Sequence, residues 1–296
     1  RELLLTGGEP LFRPDLPDII DMMRQRRIRW SLNTSVFPGE AARRAMEEYP
    51  PAFVAVSLDG PERFHDRLRG RPGSFARCMD AIGWYAKITS GSVAAGTSVS
   101  RLNFSALEDT FREVLRSGAG SWGVHLVFPE GRARGRRDLF LDKGEGKKLL
   151  GFVERKRRHL RVSLADEIGY TGALEPLLRD SPFFCGAGRT QCVILSDGEV
   201  VPCTTTDRSV SAGNVRARGL DEIWKDAFGD LRGRCLPGKC AACDFAALCG
   251  GGCWLQRRRG MHCFKESWIA PRSLAAAAGL ALCLGAVTPA AESAVT

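Results

Sequence analysis

Cysteine is nearly missing from the first two-thirds of this 296-residue chain: only Cys78 precedes Cys185, and nine of the 11 cysteines fall between Cys185 and Cys263. A disulfide framework spread through a small secreted domain would not distribute in this way. No secretory signal opens the sequence. Long apolar runs are lacking too. The longest, Leu274–Val287, has 14 residues, short of the roughly 20 that a membrane-spanning helix needs. Lying between Arg272 and Pro289, it has the shape of a signal-peptide core out of place, and a terminal helix or loose tail is the simpler expectation. Negative charge is also in deficit, with 34 acidic residues against 43 basic ones and a net charge of +9. Basic residues gather at Arg132–Arg137, Arg155–Arg158 and Arg257–Arg259. Each run alone reads as a solvated face, and together they would draw an acidic partner. No interleaved aromatics or nucleic-acid module accompany them, so neither nucleic acid nor membrane is expected as a partner.

What is present alternates short apolar runs with amphipathic stretches. Leu3–Leu5 reads as a buried strand, followed by a helix with Leu16, Ile19, Ile20 and Met23 at i, i+3, i+4 and i+7. Strands are expected at Ile28–Leu32, Phe53–Leu58, Val93–Val99 and Trp122–Val127, with a helix over Ala41–Glu48. Ser74 is the expected cap of a helix bearing Phe75, Met79 and Ile82. Ser105-x2-Glu108 reads as a capping box for a helix with Leu107, Phe111, Val114 and Leu115 that stops near Gly118. Five strands separated by four helices imply parallel pairing with right-handed crossovers, and ligands at the carboxyl ends of the strands. The chain opens on Arg1 and at once on a core strand, so an upstream segment is expected.

Residues 138–180 read as a linker with a helix over Lys147–Arg158 and a short strand at Leu160–Leu164. A hairpin signal follows at Val193–Val201, turning at Ser196-Asp197-Gly198, and then a helix at Leu220–Ala227. The cysteines form two elements, Cys185-x17-Cys203 with Cys192 inside it, and Cys240-x2-Cys243-x5-Cys249-x3-Cys253 with Cys263 beyond. Clustered thiolates select a soft metal, so paired iron–sulfur clusters and paired zinc sites are both open readings. Zinc bound by the 240–253 string alone would leave Cys185, Cys203 and Cys263 without a role. Cys78 lies on a helix face and reads as a buried apolar residue.

After the first strand comes Thr6-Gly7-Gly8-Glu9-Pro10, where two glycines let backbone approach a ligand and a carboxylate stands ready for an ammonium group. With the cysteine pattern downstream, the chain resembles the branch of the radical S-adenosylmethionine superfamily that carries a SPASM domain. Val56-Ser57-Leu58-Asp59-Gly60, His65–Gly70 and Gly73-Ser74-Phe75 are similar to segments of that branch. The resemblance implies a partial (β/α)6 TIM-like α/β barrel lacking its first βα unit, over residues 1–137, then the linker 138–180. It implies a small SPASM domain over 181–265 and an apolar tail over 266–296. Gly7, Gly8, Glu9 and Pro10 would hold the methionine amine of S-adenosylmethionine, and Ser57 and Asp59 would lie near ribose or substrate. Thr97–Asn103 and His125–Val127 would line further strand ends near the cofactor. Two auxiliary 4Fe–4S clusters would be held by Cys185, Cys192, Cys203 and Cys253, and by Cys240, Cys243, Cys249 and Cys263. Cys192 is the ligand the pattern needs least, with Cys235 its competitor.

Two departures bear on function. The Cys-x3-Cys-x2-Cys loop that holds the radical-generating 4Fe–4S cluster is not among these residues. That cluster is expected only in the full-length protein, and the chain alone is expected to be inactive. Sulfatase-maturating members carry an aspartate directly after the cysteine corresponding to Cys203, where this chain has Thr204 and its first acid at Asp207. The resemblance therefore points to a maturase acting on a ribosomally made precursor peptide or protein, with flavodoxin or ferredoxin as reductant, in the reducing cytoplasm. The other class of reading is a non-catalytic metal-binding module that recognises a peptide or RNA.

Overall fold

The computed structural model describes residues 2–258, apart from 128, 207, 234, 235 and 237, together with 263. Cys235, Asp207, Cys283 and the tail lie outside the described residues. Six strands form one sheet: β1 (Glu2–Leu5), β2 (Arg29–Thr34), β3 (Phe53–Ser57), β4 (Val93–Val99), β5 (Ser121–Leu126) and β6 (Arg161–Leu164). They lie side by side in chain order, and every neighbouring pair is parallel. Between them run α1 (Leu16–Gln25), α2 (Glu40–Glu48), α3 (Glu62–Arg69), α4 (Ser74–Ile88), α5 (Leu107–Ser117) and α6 (Lys143–Lys156). Parallel neighbours in sequential order, joined by crossovers of one hand, place all these helices on the same face of the sheet.

Burial confirms which face that is. Trp30, Leu32, Val54, Val56, Ala95, Trp122, Val124 and Val162 alternate along the strands into one core with α1, α2, α4, α5 and α6. The opposite face carries Ser31, Asn33, Ala55, Ser57, Gly96, Ser98, Gly123, His125 and Ser163, which are small or polar. Ser57, Gly96, Gly123 and Ser163 form one level across four strands.

Several local expectations are corrected. Leu3 and Leu4 are about half exposed, at 45% and 47%, because β1 is an edge strand paired only with β2. Leu115 is also exposed, since α5 turns Leu107, Phe111 and Val114 to the core and leaves it off that face. Ser74 does not cap α4. Gly73 holds the N-cap position, and the Asp66 carboxylate reaches across from α3 to accept from Gly73 N (2.6 Å) and Phe75 N (2.7 Å). The capping box at Ser105 does not form either: α5 starts at Leu107, and Glu108 pairs with Lys156 instead. A capping box between Asp142 and Glu145 does open α6, which starts four residues ahead of the expected Lys147. The strand expected near 160–164 joins the sheet as β6, beyond β5.

Beyond the sheet lie α7 (Glu175–Leu178) and the expected hairpin, β7 (Val193–Ile194) against β8 (Val200–Val201), with Gly198 at φ +92° in its turn. Four short helices follow: α8 (Leu220–Asp226), α9 (Gly229–Arg232), α10 (Ala246–Cys249) and α11 (Trp254–Arg258). Among the described residues no helix is long and apolar enough to cross a membrane.

Trp122 centres the sheet–helix core. Its ring packs on Phe111 (5.6 Å) and Phe152 (6.0 Å), and its Nε1 donates to Thr97 Oγ1, which donates on to the Leu58 carbonyl. Trp122→Ala is expected to cost about 3–5 kcal/mol of unfolding free energy, read from the urea midpoint.

Candidate functional site at the strand ends and the cysteine segment

The chain leaves β1 through Gly7, whose φ of +115° lies where side chains are strained although no atom crowds the position. That turn brings Glu9 beneath the end of β2. Oε1 accepts from Thr34 Oγ1 (2.7 Å) and Leu11 N (3.3 Å), while Oε2 accepts from Ser35 N and Ser35 Oγ (both 2.8 Å). Each carboxylate oxygen thus already accepts two hydrogen bonds. Glu9 therefore ties this turn to β2 through Thr34 and Ser35. Pro10 is buried and begins the short 3-10 turn that Glu9 caps. Glu9→Ala is expected to lose about 1–3 kcal/mol through unmet donors, with Glu9→Gln milder because its amide oxygen still accepts; thermal melting of both variants checks this.

Asp59 occupies the next hub, at the end of β3. Its side chain is 7% exposed, with Oδ2 2.6 Å from Arg69 and Oδ1 accepting from Ser98 N at 3.0 Å. Its backbone is held as well: Asn103 donates to its carbonyl (2.8 Å), and its own N–H donates to His65 Nδ1 (3.2 Å). His65 Nε2 then carries the proton toward Ser74 Oγ, 3.2 Å away. Ser57 faces the helix-free side, and its carbonyl accepts from the buried Cys78 thiol (3.1 Å), which burial pushes up to about 12. Of the residues expected to line the strand ends, Ser98, Arg101, Leu102 and His125 are open to solvent. Thr97 and Asn103 are fully turned inward as hydrogen-bonding struts.

Burial lowers the His65 pKa against the pull of Asp59. The unfolded chain then holds more protons than the folded one below the ordinary histidine value near 6.5, so stability falls as pH drops through that region. Urea unfolding from pH 7.5 to 5 is expected to show this loss, and His65→Asn to flatten it while lowering stability throughout.

The loop after β6 joins the sheet to the cysteines. Glu167 Oε1 accepts from Leu126 N (3.0 Å) and lies 3.3 Å from His125 Nδ1. The Glu167 carbonyl accepts from Gln256, and Gly169 packs against the backbone of Cys253. Behind it, buried Glu175 ties Thr171, Arg179 and Phe183 together just ahead of Cys185.

Cys185 and Cys253, 68 positions apart in sequence, lie close enough for each thiol to shift the ionisation of the other. The Cys253 contact, helped by N–H groups of Trp254 and Ala187, brings Cys185 down to about 6, and the same contact raises Cys253. Cys249 is pushed up to about 11, first by burial and then by the charges of Cys263 and Cys240, against N–H groups of Gly251 and Gly252 aimed at its sulfur. Gly250, Gly251 and Gly252 have φ values of +56°, +81° and +71°, a run that side-chain-bearing residues would strain. Gly250 N donates to the Ala246 carbonyl and Gly252 N to the carbonyl of Cys249 itself (both 2.9 Å), so these N–H groups also close the turn that carries the sulfur. Cys192 lies just ahead of β7 and is raised by burial. Cys203 follows β8, where its carbonyl accepts from Thr206 Oγ1 (2.6 Å). Cys240 ends a 3-10 turn, with Cys243 N donating back to its carbonyl at 3.4 Å. Among the described residues no three His, Cys, Asp or Glu side chains converge on a single ion site. A cubane cluster is held differently, by thiolates at separate corners. Half-buried sulfurs facing backbone N–H groups, as at Cys185 and Cys249, fit that donor chemistry.

Sequence reasoning missed Thr34, Ser35 and Glu167, and it placed His65 and Arg69 in a family-like segment without giving either a role. Each takes its role from a partner elsewhere in the fold.

A sequential parallel sheet with one polar face, glycines at its strand ends and an appended cysteine-rich segment defines an α/β protein with a thiol-rich domain. The chain belongs to the radical SAM superfamily: that family's profile matches residues 1–114, and the SPASM profile, an iron-sulfur cluster-binding domain, matches residues 185–244. It is 30% identical over 264 residues to the mycofactocin maturase MftC of Mycobacterium ulcerans, covering 84% of this chain and 69% of that one. It is 29% identical over 271 residues to the AdoMet-dependent heme synthase of Nitratidesulfovibrio vulgaris, covering 84% and 73%. Among solved structures, Streptococcus suis SuiB bound to S-adenosylmethionine superposes with a TM-score of 0.68 at 15% identity, over 91% of this chain and 65% of that one. A second, anSMEcpe with bound AdoMet, gives 0.65 at 20% identity, over 85% and 71%. Family membership implies S-adenosylmethionine binding and iron–sulfur clusters.

Proposed function

We propose that this chain is the cofactor-positioning and auxiliary-cluster part of a radical S-adenosylmethionine maturase that modifies a ribosomally made peptide or protein. The observation that carries the reading is the Gly7-Gly8 turn, pinned by Glu9 at the carboxyl end of β1 on the bare sheet face. When bound beside a reduced cluster, S-adenosylmethionine would supply the radical chemistry by which a hydrogen atom is taken from substrate. The peptide carbonyls of Gly7 and Gly8 accept from its ammonium group, because Glu9 is committed to Thr34 and Ser35 and acts as the strut that holds them. Pro10 stiffens the exit of that turn. Ser57, on the open level with Gly96 and Gly123, offers a hydroxyl to ribose or substrate, and Asp59 fixes the β3–β4 strand ends through Ser98 and Arg69. The two glycines lower the floor so that a ligand can approach the backbone.

Cys185, Cys192, Cys203 and Cys253 would hold one auxiliary 4Fe–4S cluster, and Cys240, Cys243, Cys249 and Cys263 the other. Such clusters accept or relay an electron. Crossed ligation would staple a segment whose helices are each one or two turns long. A flavodoxin or ferredoxin would serve as reductant, in a reducing compartment. The peptide assignment draws on relatives named as maturases and on SuiB, which has been solved with its precursor peptide SuiA. A second substrate reading has one specific observation behind it: the heme synthases match at 27–29% identity over 84% of the chain. In that case the substrate is a carboxylate-bearing tetrapyrrole, which the net charge of +9 also suits. The 296 residues hold no Cys-x3-Cys-x2-Cys triplet, so we infer that they do not cleave S-adenosylmethionine by themselves.

Anaerobic reconstitution with iron, sulfide and zinc counted together tests the metal claim. About eight iron per chain with a 4Fe–4S EPR signal on reduction is the expected result. Cys249→Ala is expected to halve the iron and lower the melting temperature. One or two zinc without sulfide would overturn the reading in favour of a structural metal module. Absorbance titration with a carboxylated porphyrin separates the two substrates: a shifted Soret band favours the tetrapyrrole, and an unchanged one the peptide.

A further inference from the structure

We propose that His125 is the proton acceptor of the open sheet face, with Glu167 as its positioning residue. His125 sits near the carboxyl end of β5. Its side chain lies on the helix-free face, because Trp122 and Val124 take the other. Nδ1 stands 3.3 Å from Glu167 Oε1, an oxygen that also accepts from Leu126 N at 3.0 Å and is therefore fixed from two sides. A proton on Nδ1 satisfies that contact and leaves the lone pair on Nε2. Nε2 lies over Gly123, where a Cβ would stand only 3.3 Å away, so the glycine gives the ring its place. The side chain is 52% exposed, which leaves Nε2 within reach of a ligand on the sheet face. A carboxylate behind an imidazole holds one tautomer and stabilises the imidazolium once it forms.

The charges around the ring agree. The covered half of the ring loses water, which disfavours the charged form, but the contact with Glu167 and its charge, with the charges of Asp59 and Asp166, outweigh this and raise the pKa. Asp59 is itself paired with Arg69. In the step itself a substrate N–H, O–H or S–H gives its proton to Nε2. The electron pair of the broken bond stays on the substrate heteroatom, and the ring becomes an imidazolium facing Glu167.

The proposal rests on the reading of this face as the reaction site. Imidazole 15N NMR on the full chain tests it, with His125→Gln assigning the signal among the four histidines. The expected result is an Nδ1–H tautomer with bare Nε2 in the unmodified chain, and a titration moved to lower pH in Glu167→Gln. An Nε2–H tautomer overturns the proposal, as does a titration indifferent to Glu167→Gln. Diethyl pyrocarbonate labelling, mapped by mass spectrometry, adds a second arm. His125 is expected to react with or without S-adenosylmethionine present. Protection by S-adenosylmethionine alone would assign His125 to the cofactor and overturn its role as base. If S-adenosylmethionine does not bind at all, the cofactor reading falls, and the tautomer still decides for or against His125.

Discussion

One constraint governs the architecture: every crossover between neighbouring parallel strands turns the same way, so all the strand-connecting helices land on one face of the sheet. That face becomes the core, built on Trp30, Leu32, Val54, Val56, Trp122 and Val124. The other face is left to small and polar side chains, and a ligand placed there meets Ser57, Gly96, Ser98, Gly123 and His125. The same alternation that buries one residue exposes the next, so core and site are two readings of the same strands.

Polar struts hold the mouth of the sheet open in a fixed shape. Glu9 ties the turn after β1 to the end of β2, and Asp59 ties the end of β3 to β4, to Arg69 and, through Asn103, to the start of the following turn. Both are carboxylates in places where a ligand-binding carboxylate would be sought, yet each spends its oxygens on protein donors. Their contribution is geometric. Glu167 performs the same service one step further round, orienting His125 with its side chain while its backbone meets Gln256 of α11. The loop after β6 therefore touches both the sheet mouth and the cysteine segment.

The element pattern was largely legible in the sequence because apolar periodicity is local. Leu16, Ile20 and Met23 mark α1, and the turn at Gly198 marks the hairpin. Local capping was read less well. Ser74 and Ser105 sit where caps belong, but a carboxylate from α3 caps α4, and Lys156 takes Glu108 away from any box. Capping is a competition among nearby donors and acceptors, and the sequence does not show the competitors that come from elsewhere in the fold.

By itself the sequence determined the alternation of strands and helices, the glycine turn after β1 and the spacing of the cysteines, since each is a property of residues close together in the chain. Only the tertiary structure decided that Glu9 is spent on Thr34 and Ser35 and that Glu167 stands behind His125, and it brought near one another Cys185 and Cys253, which the family resemblance had already grouped. Those contacts join residues 25 to 68 positions apart. Hydrogen bonds of a few ångströms between distant segments exist only after the sheet has stacked its strands, so no window of sequence contains them.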